Sequence, residues 1–320
     1  MPECEYAGPS GNRCGNDALE DSPFCFWHDR NASKKGEDVK KQLEQKARNQ
    51  ESMEGYELGQ ADLHDVYLIE ADLTHANLSR ADLSEGHLFG IKLKGARLFK
   101  SNLANANLKQ GDLEGTDLLG ANLDGADLER ASFGPRSLLR NHQEAENLVA
   151  HGDHIGARAK YLEAEEIYRS IRKANESAGT TDVAGDFFYW EMVTKRKQLT
   201  KFSFVRFWSK LVDILCGYGE LPYRVIGSAL TFIFVNALAF CLLGMQHGDK
   251  VYAFSLSAGF WEDLATFGYA LYFSVVTFTT LGYGDFSPIG WARPFAAIEA
   301  MGGVFMSSLF MLTFIRKMTR

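Results

Sequence analysis

Residues 71–83 read Ala71-Asp-Leu-Thr-His-Ala-Asn-Leu-Ser-Arg-Ala-Asp-Leu83, a stretch in which leucine returns at every fifth position. The same phase runs unbroken from Leu58 to Leu128, and Phe133 takes the next place, so the pattern has sixteen positions. The residue two places before each of them is usually small, and the residue between is often Asp or Asn. A period of five fits neither an α-helix nor a β-strand, whose side chains repeat every 3.6 and 2.0 residues. The stretch is therefore an internal repeat with an architecture of its own.

The Ala-Asp-Leu and Ala-Asn-Leu units resemble the pentapeptide-repeat family. The resemblance implies a right-handed quadrilateral β-helix over residues 56–135, with one repeat on each side of a square coil. The Leu and the small residue would point inward, and four coils stacked at strand spacing would form a rod about 20 Å long. His64, His75 and His87 fall in different repeat positions, so we expect them to be exposed. Some members of the family mimic DNA, and fold alone does not decide which role this rod has.

A cluster of three cysteines and one histidine precedes the repeat: Cys4, Cys14, Cys25 and His28. Three thiolates and one imidazole form a Cys3His set, which suits tetrahedral Zn²⁺ and leaves no open position for catalysis. A segment this small cannot bury a core, so the metal would provide the folding free energy. We predict a structural zinc knuckle over residues 1–33; the alternative is a flexible tail with unpaired cysteines. The charged segment 34–55 that follows is predicted to be a helix or a linker.

The bulk composition excludes several classes of protein. The chain has 320 residues, a net charge of −7 and five cysteines. A general nucleic-acid binder usually presents a basic face, so no nucleic-acid partner is expected. The N-terminus shows no secretory signal, and we expect this region to stay in the cytoplasm, where clustered cysteines bind metal more often than they form disulfides. We find no nucleophile–base pair, phosphate loop or open metal site, which argues against an enzyme.

Two amphipathic segments follow the repeat. Residues 136–200 are predicted to form a helical hairpin connector, because residues 158–174 carry apolar side chains at helical spacing and a second helix follows from about Val183. The alternative is a groove for a ligand or partner that regulates the protein. Residues 201–220 place aromatic and aliphatic side chains on one stripe and basic ones mostly off it, which is typical of a helix at the bilayer interface.

Residues 221–320 form the apolar end of the chain. From Val225 to Ile315 only seven residues are charged. Spans are predicted at about 223–246 and about 291–317, each long enough to cross a hydrocarbon core of about 30 Å. Basic residues, Arg320 among them, flank the outer ends of the two spans and are scarcer between them. The positive-inside rule therefore predicts a multi-pass protein of the plasma membrane with both termini in the cytoplasm.

Between the spans, the stretch Thr279-Thr-Leu-Gly-Tyr-Gly-Asp285 follows a predicted pore helix at about 262–279. It resembles the potassium-channel signature Thr-Thr-Val-Gly-Tyr-Gly-Asp with one Val-to-Leu change. The resemblance covers about the last hundred residues and implies an all-α, two-span pore that four copies of the chain complete. It also implies a K⁺ selectivity filter, in which an extended strand presents backbone carbonyls and the Thr hydroxyl to the ion. The filter residues would be Thr280, Leu281, Gly282, Tyr283 and Gly284.

Neighbouring residues are assigned supporting roles. Within the filter, the glycines permit backbone angles denied to other residues, and the tyrosine would wedge the filter against the pore helix. Asp285 is predicted to brace the outer end of the filter through Tyr272. Glu299 is an ionisable residue inside a span, so it should face protein or water, and we favour a structural role behind the filter. Gly302 and Gly303 lie where inner helices of the family bend, and they are predicted to form a gating hinge.

Together these patterns predict a homotetrameric, potassium-selective channel subunit that conducts K⁺ passively and holds a structural Zn²⁺. No voltage-sensing segment precedes the pore, so we expect a gating signal to enter through the N-terminal region, from an unknown cytoplasmic protein or a small molecule. The rod would then be a spacer, an assembly surface or a docking platform. Two alternatives stay open: a poorly selective cation channel, which equal Na⁺ and K⁺ flux would reveal, and a membrane-anchored pentapeptide interaction protein without flux.

Overall fold

The computed structural model describes residues 2–9, 11, 13–255 and 259–318. Arg320, one of the basic residues that flank the predicted spans, lies outside these ranges. The chain divides into an N-terminal unit, residues 1–206, and a C-terminal unit, residues 207–320.

The repeat forms a stack of coils with backbone pairing at a constant separation. Parallel bridges join residues twenty positions apart, from Ser52–Asp72 to Asp112–Ser132, so each coil has four five-residue sides. The leucines of the pattern are buried, as are nearly all the residues two places before them, and most of the remaining side chains face outward. This arrangement is a β-helix; its right-handed sense stays a prediction.

The rod begins one repeat earlier than predicted. Met53 occupies a leucine position and is fully buried, and the bridge from Ser52 to Asp72 belongs to the same ladder. Methionine breaks the leucine pattern, and Glu51 stands where a small residue is expected. The periodicity alone therefore placed the start of the rod five residues too late.

Each side of a coil ends at a residue with left-handed backbone geometry. The residue two places after the leucine has positive φ throughout the rod, for example 59° at Arg80 and 67° at Gly95. This geometry costs a residue other than glycine roughly 1 kcal/mol. The corners are therefore strained turns that the stacking of coils must hold in place.

The N-terminal end of the rod is covered by the segment before it. Antiparallel bridges join Glu3 to Asp17 and Ala7 to Arg13, and a helix, α1, follows at Glu37–Arg48. The buried residues of α1 are Val39, Leu43 and Ala47, which belong to the same apolar core as the repeat leucines. The segment predicted as a helix or a linker is thus a packed helix, because its three apolar residues recur at every fourth position.

Three helices, rather than the predicted hairpin, follow the rod. After a 3₁₀ turn at Pro135–Ser137 they are α2 (Arg140–Ala150), α3 (His154–Ser177) and α4 (Thr181–Lys197).

The sequence pattern missed α2 because its buried face is polar. That face consists of Asn141, His142 and Ala145. The Nδ1 atom of His142 lies 3.3 Å from the Tyr168 hydroxyl, and burial lowers the pKa of this imidazole to about 4. A neutral histidine therefore takes the place that an aliphatic residue usually has, and a search for apolar periodicity passes over it.

The C-terminal unit is mainly helical. Its helices are α5 (Phe204–Cys216, which begins just before the unit), α6 (Pro222–Leu243), α7 (Phe260–Phe278) and α8 (Ala292–Met318). Two of them, α6 and α8, are long and apolar enough to cross a membrane. The helix α5 exposes an apolar stripe that includes Phe204, Phe207 and Trp208, whereas its Asp213 and Cys216 are buried. An exposed apolar stripe is the geometry expected of a helix at a bilayer surface.

The prediction of an all-α pore region was wrong in one detail. A three-stranded sheet of order β2-β1-β3 is formed by β1 (Met245–His247), β2 (Lys250–Tyr252) and β3 (Ser287–Pro288). The first span consequently ends at Leu243 instead of 246, because Gly244 has a φ of 89° that stops the helix. Short strands of two or three residues leave too weak a pattern to be predicted.

Candidate functional site

The stretch 279–285 leaves the end of α7 through a tight turn. The amide of Thr280 donates to the carbonyl oxygen of Thr277 at 3.0 Å, and that of Leu281 donates to the carbonyl oxygen of Val276 at 3.1 Å. The C-terminal end of a helix carries a partial negative charge. The start of the stretch therefore lies where the helix dipole favours a cation.

The backbone conformation alternates along this stretch. The angle φ is positive at Thr280, Gly282 and Gly284, at 57°, 57° and 77°, and it is not positive at Leu281 or Tyr283. In an extended strand, successive residues face opposite ways. Positive φ at every second residue breaks this extended geometry, because the φ of a β-strand is negative. The stretch is therefore not a regular extended strand, and its role in lining an ion path stays a prediction.

One position in this alternation departs from residue preference. Thr280 holds a left-handed conformation that favours glycine and costs another residue roughly 1 kcal/mol. The sequence pattern pointed to the two glycines and did not signal that the threonine shares their geometry.

Within a single chain the stretch is uncovered. The side chains of Leu281 and Tyr283 are 60% and 66% exposed, and an added Cβ at Gly282 or Gly284 would meet no described atom within 4 Å. The expected wedge of Tyr283 against the pore helix is therefore not formed within the described part of one chain.

The outer end of the stretch is held by an aromatic cluster that sequence reasoning missed. The ring of Phe286 is buried and contacts the rings of His247, Tyr252, Tyr269 and Tyr272. Nothing in the sequence marks Phe286, because the residues that surround it come from separate elements.

Asp285 connects this cluster to the end of the stretch. Its side chain is hydrogen bonded to that of Tyr272, and the bracing role of this pair stays a prediction. Its carbonyl oxygen lies 2.7 Å from Nδ1 of His247, on the neighbouring strand β1. Both the side chain and the main chain of this aspartate therefore fix the outer end of the stretch.

Behind the stretch, Glu299 is fully buried between three helices. Its carboxyl group is hydrogen bonded to the hydroxyl of Ser274 on α7, and the same hydroxyl lies 2.9 Å from the carbonyl oxygen of Ile233 on α6. One hydroxyl proton can serve only one of these two acceptors. Both contacts are satisfied when Glu299 itself carries a proton and donates it to Ser274. Ser274 is a further residue that the sequence did not indicate.

The two glycines of the predicted hinge make close contacts with neighbouring helices. The helix α8 runs through Gly302 and Gly303 as one continuous element. A methyl group at Gly303 would overlap the carbonyl oxygen of Phe278, the last residue of α7, and one at Gly302 would lie 2.7 Å from the ring of Phe232. The hinge stays a prediction, whereas the packing role of Gly303 is evident from the geometry.

A second site lies in the N-terminal segment, where the four predicted metal ligands meet. One ligand atom from each of Cys4, Cys14, Cys25 and His28 can be chosen so that all four lie within 4.8 Å of one another. Zn–S bonds of about 2.3 Å place two sulfur ligands of a tetrahedron roughly 3.8 Å apart. The Sγ atoms of Cys14 and Cys25 are 3.7 Å apart, and Nδ1 of His28 lies 3.3 Å from Sγ of Cys25. The spacing fits a tetrahedral zinc ion.

The surroundings of the four residues also fit a metal. Nε2 of His28 lies 3.0 Å from the carbonyl oxygen of Glu54, so an N–H there leaves Nδ1 free as a ligand. The amide of Cys25 donates to Sγ of Cys4 at 3.2 Å, which favours a thiolate. The ring of Tyr6 stacks on that of His28 at 3.8 Å. These contacts orient the ligands from outside the cluster.

Comparison with known families finds a match for one segment in each of the two units of the chain. A family model described as pentapeptide repeats matches residues 61–98 and 96–134, and one described as an ion channel matches residues 228–320. The chain joins a pentapeptide-repeat domain to an ion-channel domain. The pentapeptide-repeat resemblance is thereby confirmed, and the resemblance of the last hundred residues is confirmed as that of an ion channel, while potassium selectivity stays a prediction.

Solved structures share similarity with part of the chain. The pentapeptide-repeat protein Rfr23 from the cyanobacterium Cyanothece 51142 is 36% identical over 26% of this chain and 56% of its own, with a TM-score of 0.26. HetL from Nostoc sp. strain PCC 7120, a pentapeptide-repeat protein involved in heterocyst differentiation regulation, is 34% identical over 25% of this chain and 37% of its own, with a TM-score of 0.24. The chain thus spans about half or less of the length of these relatives. No curated protein sequence matches it significantly.

Within the ion-channel domain, Glu299→Gln is expected to keep ion flux within about threefold of wild type, because the amide N–H₂ donates to Ser274 as a protonated carboxyl would. Glu299→Ala leaves the hydroxyl of Ser274 without this partner and opens a cavity, so flux is expected to fall roughly tenfold. Flux into liposomes measures both. A glutamine variant as impaired as the alanine variant would mean that the negative charge of Glu299 is required.

Proposed function

We propose that four copies of this chain form a potassium-selective channel that conducts K⁺ passively through residues 280–284. The observation that supports this proposal is the positive φ at every second residue, Thr280, Gly282 and Gly284, a geometry in which successive carbonyl groups can face one side. Such a row of oxygens can replace the water shell of a K⁺ ion. The hydroxyl of Thr280 adds one further oxygen at the inner end.

The uncovered filter supports a tetramer. One strand cannot surround an ion, and the 60% exposure of Leu281 and 66% exposure of Tyr283 leave these side chains to be buried by neighbouring copies. Irregular backbone at membrane depth is tolerated where it is buried in protein or lines a water-filled path. Packing of Tyr283 against the pore helix of a neighbour would complete the wedge that a single chain lacks.

The proposed site of action is the plasma membrane, with α6 and α8 spanning the bilayer and both termini in the cytoplasm. The 22 residues of α6 extend about 33 Å, and the 27 residues of α8 about 40 Å, at 1.5 Å per residue. Both lengths suffice for a hydrocarbon core of about 30 Å. Arg316 and Lys317 lie in the last turn of α8, as the positive-inside rule requires of a cytoplasmic end.

Gating is proposed to reach the pore through α5. Arg224, at the start of α6, donates to the carboxylate of Asp213 on α5 at 2.6 Å, and Asp213 is 3% exposed. Arg316, at the end of α8, lies 3.1 Å from the carboxylate of Glu220 in the turn between α5 and α6. A cytoplasmic protein or a small molecule that moves α5 would therefore act on both spans at once.

For the N-terminal segment we propose a structural Zn²⁺ held by Cys4, Cys14, Cys25 and His28. The bound ion would cross-link chain segments that cannot bury a core of their own, and four protein ligands leave it no open position. Its contribution is therefore to folding and not to ion conduction.

Ion flux through the purified full chain in liposomes tests the proposed function. Wild type is expected to pass K⁺ at least roughly tenfold faster than Na⁺ and to be blocked by Ba²⁺, and Gly282→Asp is expected to abolish the flux. Gly248→Asp provides the matched control, because Gly248 is another glycine of positive φ, 58°, in the turn between β1 and β2 of the same domain. It should conduct as wild type does.

The two alternatives give different results in the same assay. Equal K⁺ and Na⁺ flux through an intact tetramer would indicate a poorly selective cation channel. A stable membrane-bound assembly that passes neither ion, but captures a soluble protein on its repeat, would favour an interaction protein. Flux that survives in Gly282→Asp would contradict the assignment of the filter.

A further inference from the structure

Two neighbouring sides of the rod carry opposite charge. The first, here called the basic side, consists of residues 56–60, 76–80, 96–100 and 116–120. The second, the acidic side, consists of residues 61–65, 81–85, 101–105 and 121–125. The chain passes from one to the next at every coil, because a coil has four sides and repeats after twenty residues.

The free charges of the basic side are positive. Arg80 and Lys100 are exposed, and neither forms an ion pair among the described residues. The two carboxylates of this side are already paired, since Glu57 lies 2.7 Å from Arg30 and Asp117 lies 3.9 Å from Arg97.

The acidic side has the opposite character, with no Lys or Arg in its four segments. It carries five carboxylates: Asp62, Asp65, Asp82, Glu85 and Asp124. Within the described ranges, no lysine or arginine lies at ion-pair distance from any of them, and only His87 approaches Asp65, at 3.4 Å. Unpaired positive charge on the basic side and unpaired negative charge on the acidic side thus lie on either side of one corner of the rod.

A four-fold ring demands this kind of arrangement. In a cyclic tetramer each subunit contacts two neighbours through two different surfaces, and those surfaces face directions 90° apart. Adjacent sides of a square coil have this relation to each other. We propose that the basic side of each rod packs on the acidic side of the next copy, so that the four rods close a ring; the inference rests on the tetramer proposed above.

The groove on the basic side and the positions of the charged residues along the rod favour this contact between neighbouring rods. A groove of about 380 Å³ on the basic side is bordered by Arg30, Arg80, Arg97 and Phe99, and carboxylate side chains of a neighbour can enter it. Rods related by a four-fold axis lie at equal height. Arg80 of the second coil then meets Asp82 of the second coil of the neighbour.

A second copy is favoured over a foreign partner because both complementary surfaces belong to one chain and span the same coils. A foreign acidic partner would explain the basic side alone. The pore also holds the four chains together, so their effective concentration is high and even a weak contact between rods is populated. Complementary charge then selects the sides that meet.

Carbodiimide cross-linking of the full chain in detergent micelles tests the ring. The reagent joins a lysine amine directly to a carboxylate that touches it, so inter-chain links appear as dimer to tetramer bands on a denaturing gel. We expect Lys100 to be joined to carboxylates of the acidic side, in peptides present in the dimer band and absent from the monomer band. Raising the salt from about 0.05 M to about 0.5 M should weaken these bands, because exposed charges are screened.

Charge reversal provides the decisive comparison. Reversing only the basic side (Arg80→Glu, which leaves the Lys100 amine in place) or only the acidic side (Asp62→Lys with Glu85→Lys) should reduce the linked bands at least roughly fivefold, since like charges then face each other. Combining all three substitutions should restore them. The matched control, Lys92→Glu with Glu70→Lys on the other two sides, should link as wild type does.

Native mass spectrometry of the same samples separates the two proposals. A tetramer whose cross-links are unchanged by the reversals would overturn the ring of rods and leave the tetrameric pore standing. A tetramer whose basic side captures added acidic protein or nucleic acid, without rod-to-rod links, would overturn it in favour of that partner. A monomeric wild type would instead contradict the proposed function.

Discussion

Replacing Gly303 by alanine is expected to lower K⁺ flux at least roughly tenfold, which corresponds to about 1.4 kcal/mol. The added methyl group would overlap the carbonyl oxygen of Phe278, two residues before Thr280. Backbone cannot rotate aside as a side chain can, so α8 must move away from α7 or the entrance of the filter must shift. Overpacking of this kind typically costs about 1–3 kcal/mol. Liposome flux, with native mass spectrometry to check for the tetramer, measures the effect.

Two further alanine variants complete a graded series. At Gly302 the added methyl group meets the ring of Phe232, which can turn, so a milder loss is expected. At Gly227 on α6 it meets no described atom within 4 Å, and wild-type flux is expected. If Gly302→Ala instead impaired flux as strongly as Gly303→Ala, a hinge that uses both glycines would explain the result better than close packing.

Loss of zinc is expected to unfold the N-terminal segment while the pore stays assembled. Wild type should contain about one zinc ion per chain by elemental analysis, and Cys25→Ser should contain almost none, because a hydroxyl is a poor replacement for a thiolate ligand. The lowest-temperature unfolding transition should drop by on the order of 10 °C. Limited proteolysis should then cut before α1, where the uncovered end of the rod leaves the chain accessible.

Cys216→Ser provides the control for the zinc variant. Cys216 is also buried, but its thiol donates to the carbonyl oxygen of Val212 at 3.3 Å, a contact that a serine hydroxyl reproduces. It should keep both the zinc content and the first transition of wild type. A wild-type chain that carries no zinc, and whose first transition a chelator leaves in place, would show that the cysteines are ordinary core residues.

The sequence predicted those features that repeat or that follow a short local pattern. A five-residue period marks the rod, because every repeat makes the same contacts with the coils above and below. The stretch 279–285 pointed to the ion-channel domain, because its pattern lies in consecutive residues. Cys4 and His28 were recognised from residue type, although they are 24 positions apart, since few other pairings suit a thiolate and an imidazole.

The features that escaped prediction depend on contacts between distant or atypical residues. Ser274 contacts Ile233 of α6 and Glu299 of α8, and the residues next to Ser274 in the sequence give no sign of either contact. The helix α2 was missed because His142 fills an aliphatic position. Thr280 was predicted as a filter residue, but its positive φ could not be predicted, because residue preference favours glycine in that conformation.

The twenty-residue pitch of the rod also constrains how the protein can change in evolution. Both ends of the rod are closed, by α1 at one end and by the contact of Phe133 with Phe187 of α4 at the other, 5.0 Å between ring centres. An insertion of twenty residues adds a whole coil and leaves both closures in register. An insertion of five would turn one closure by a quarter of a revolution relative to the other. The rod can therefore lengthen only in whole coils of about 4.8 Å, because the four sides of its cross-section fix the smallest insertion that keeps both ends in register.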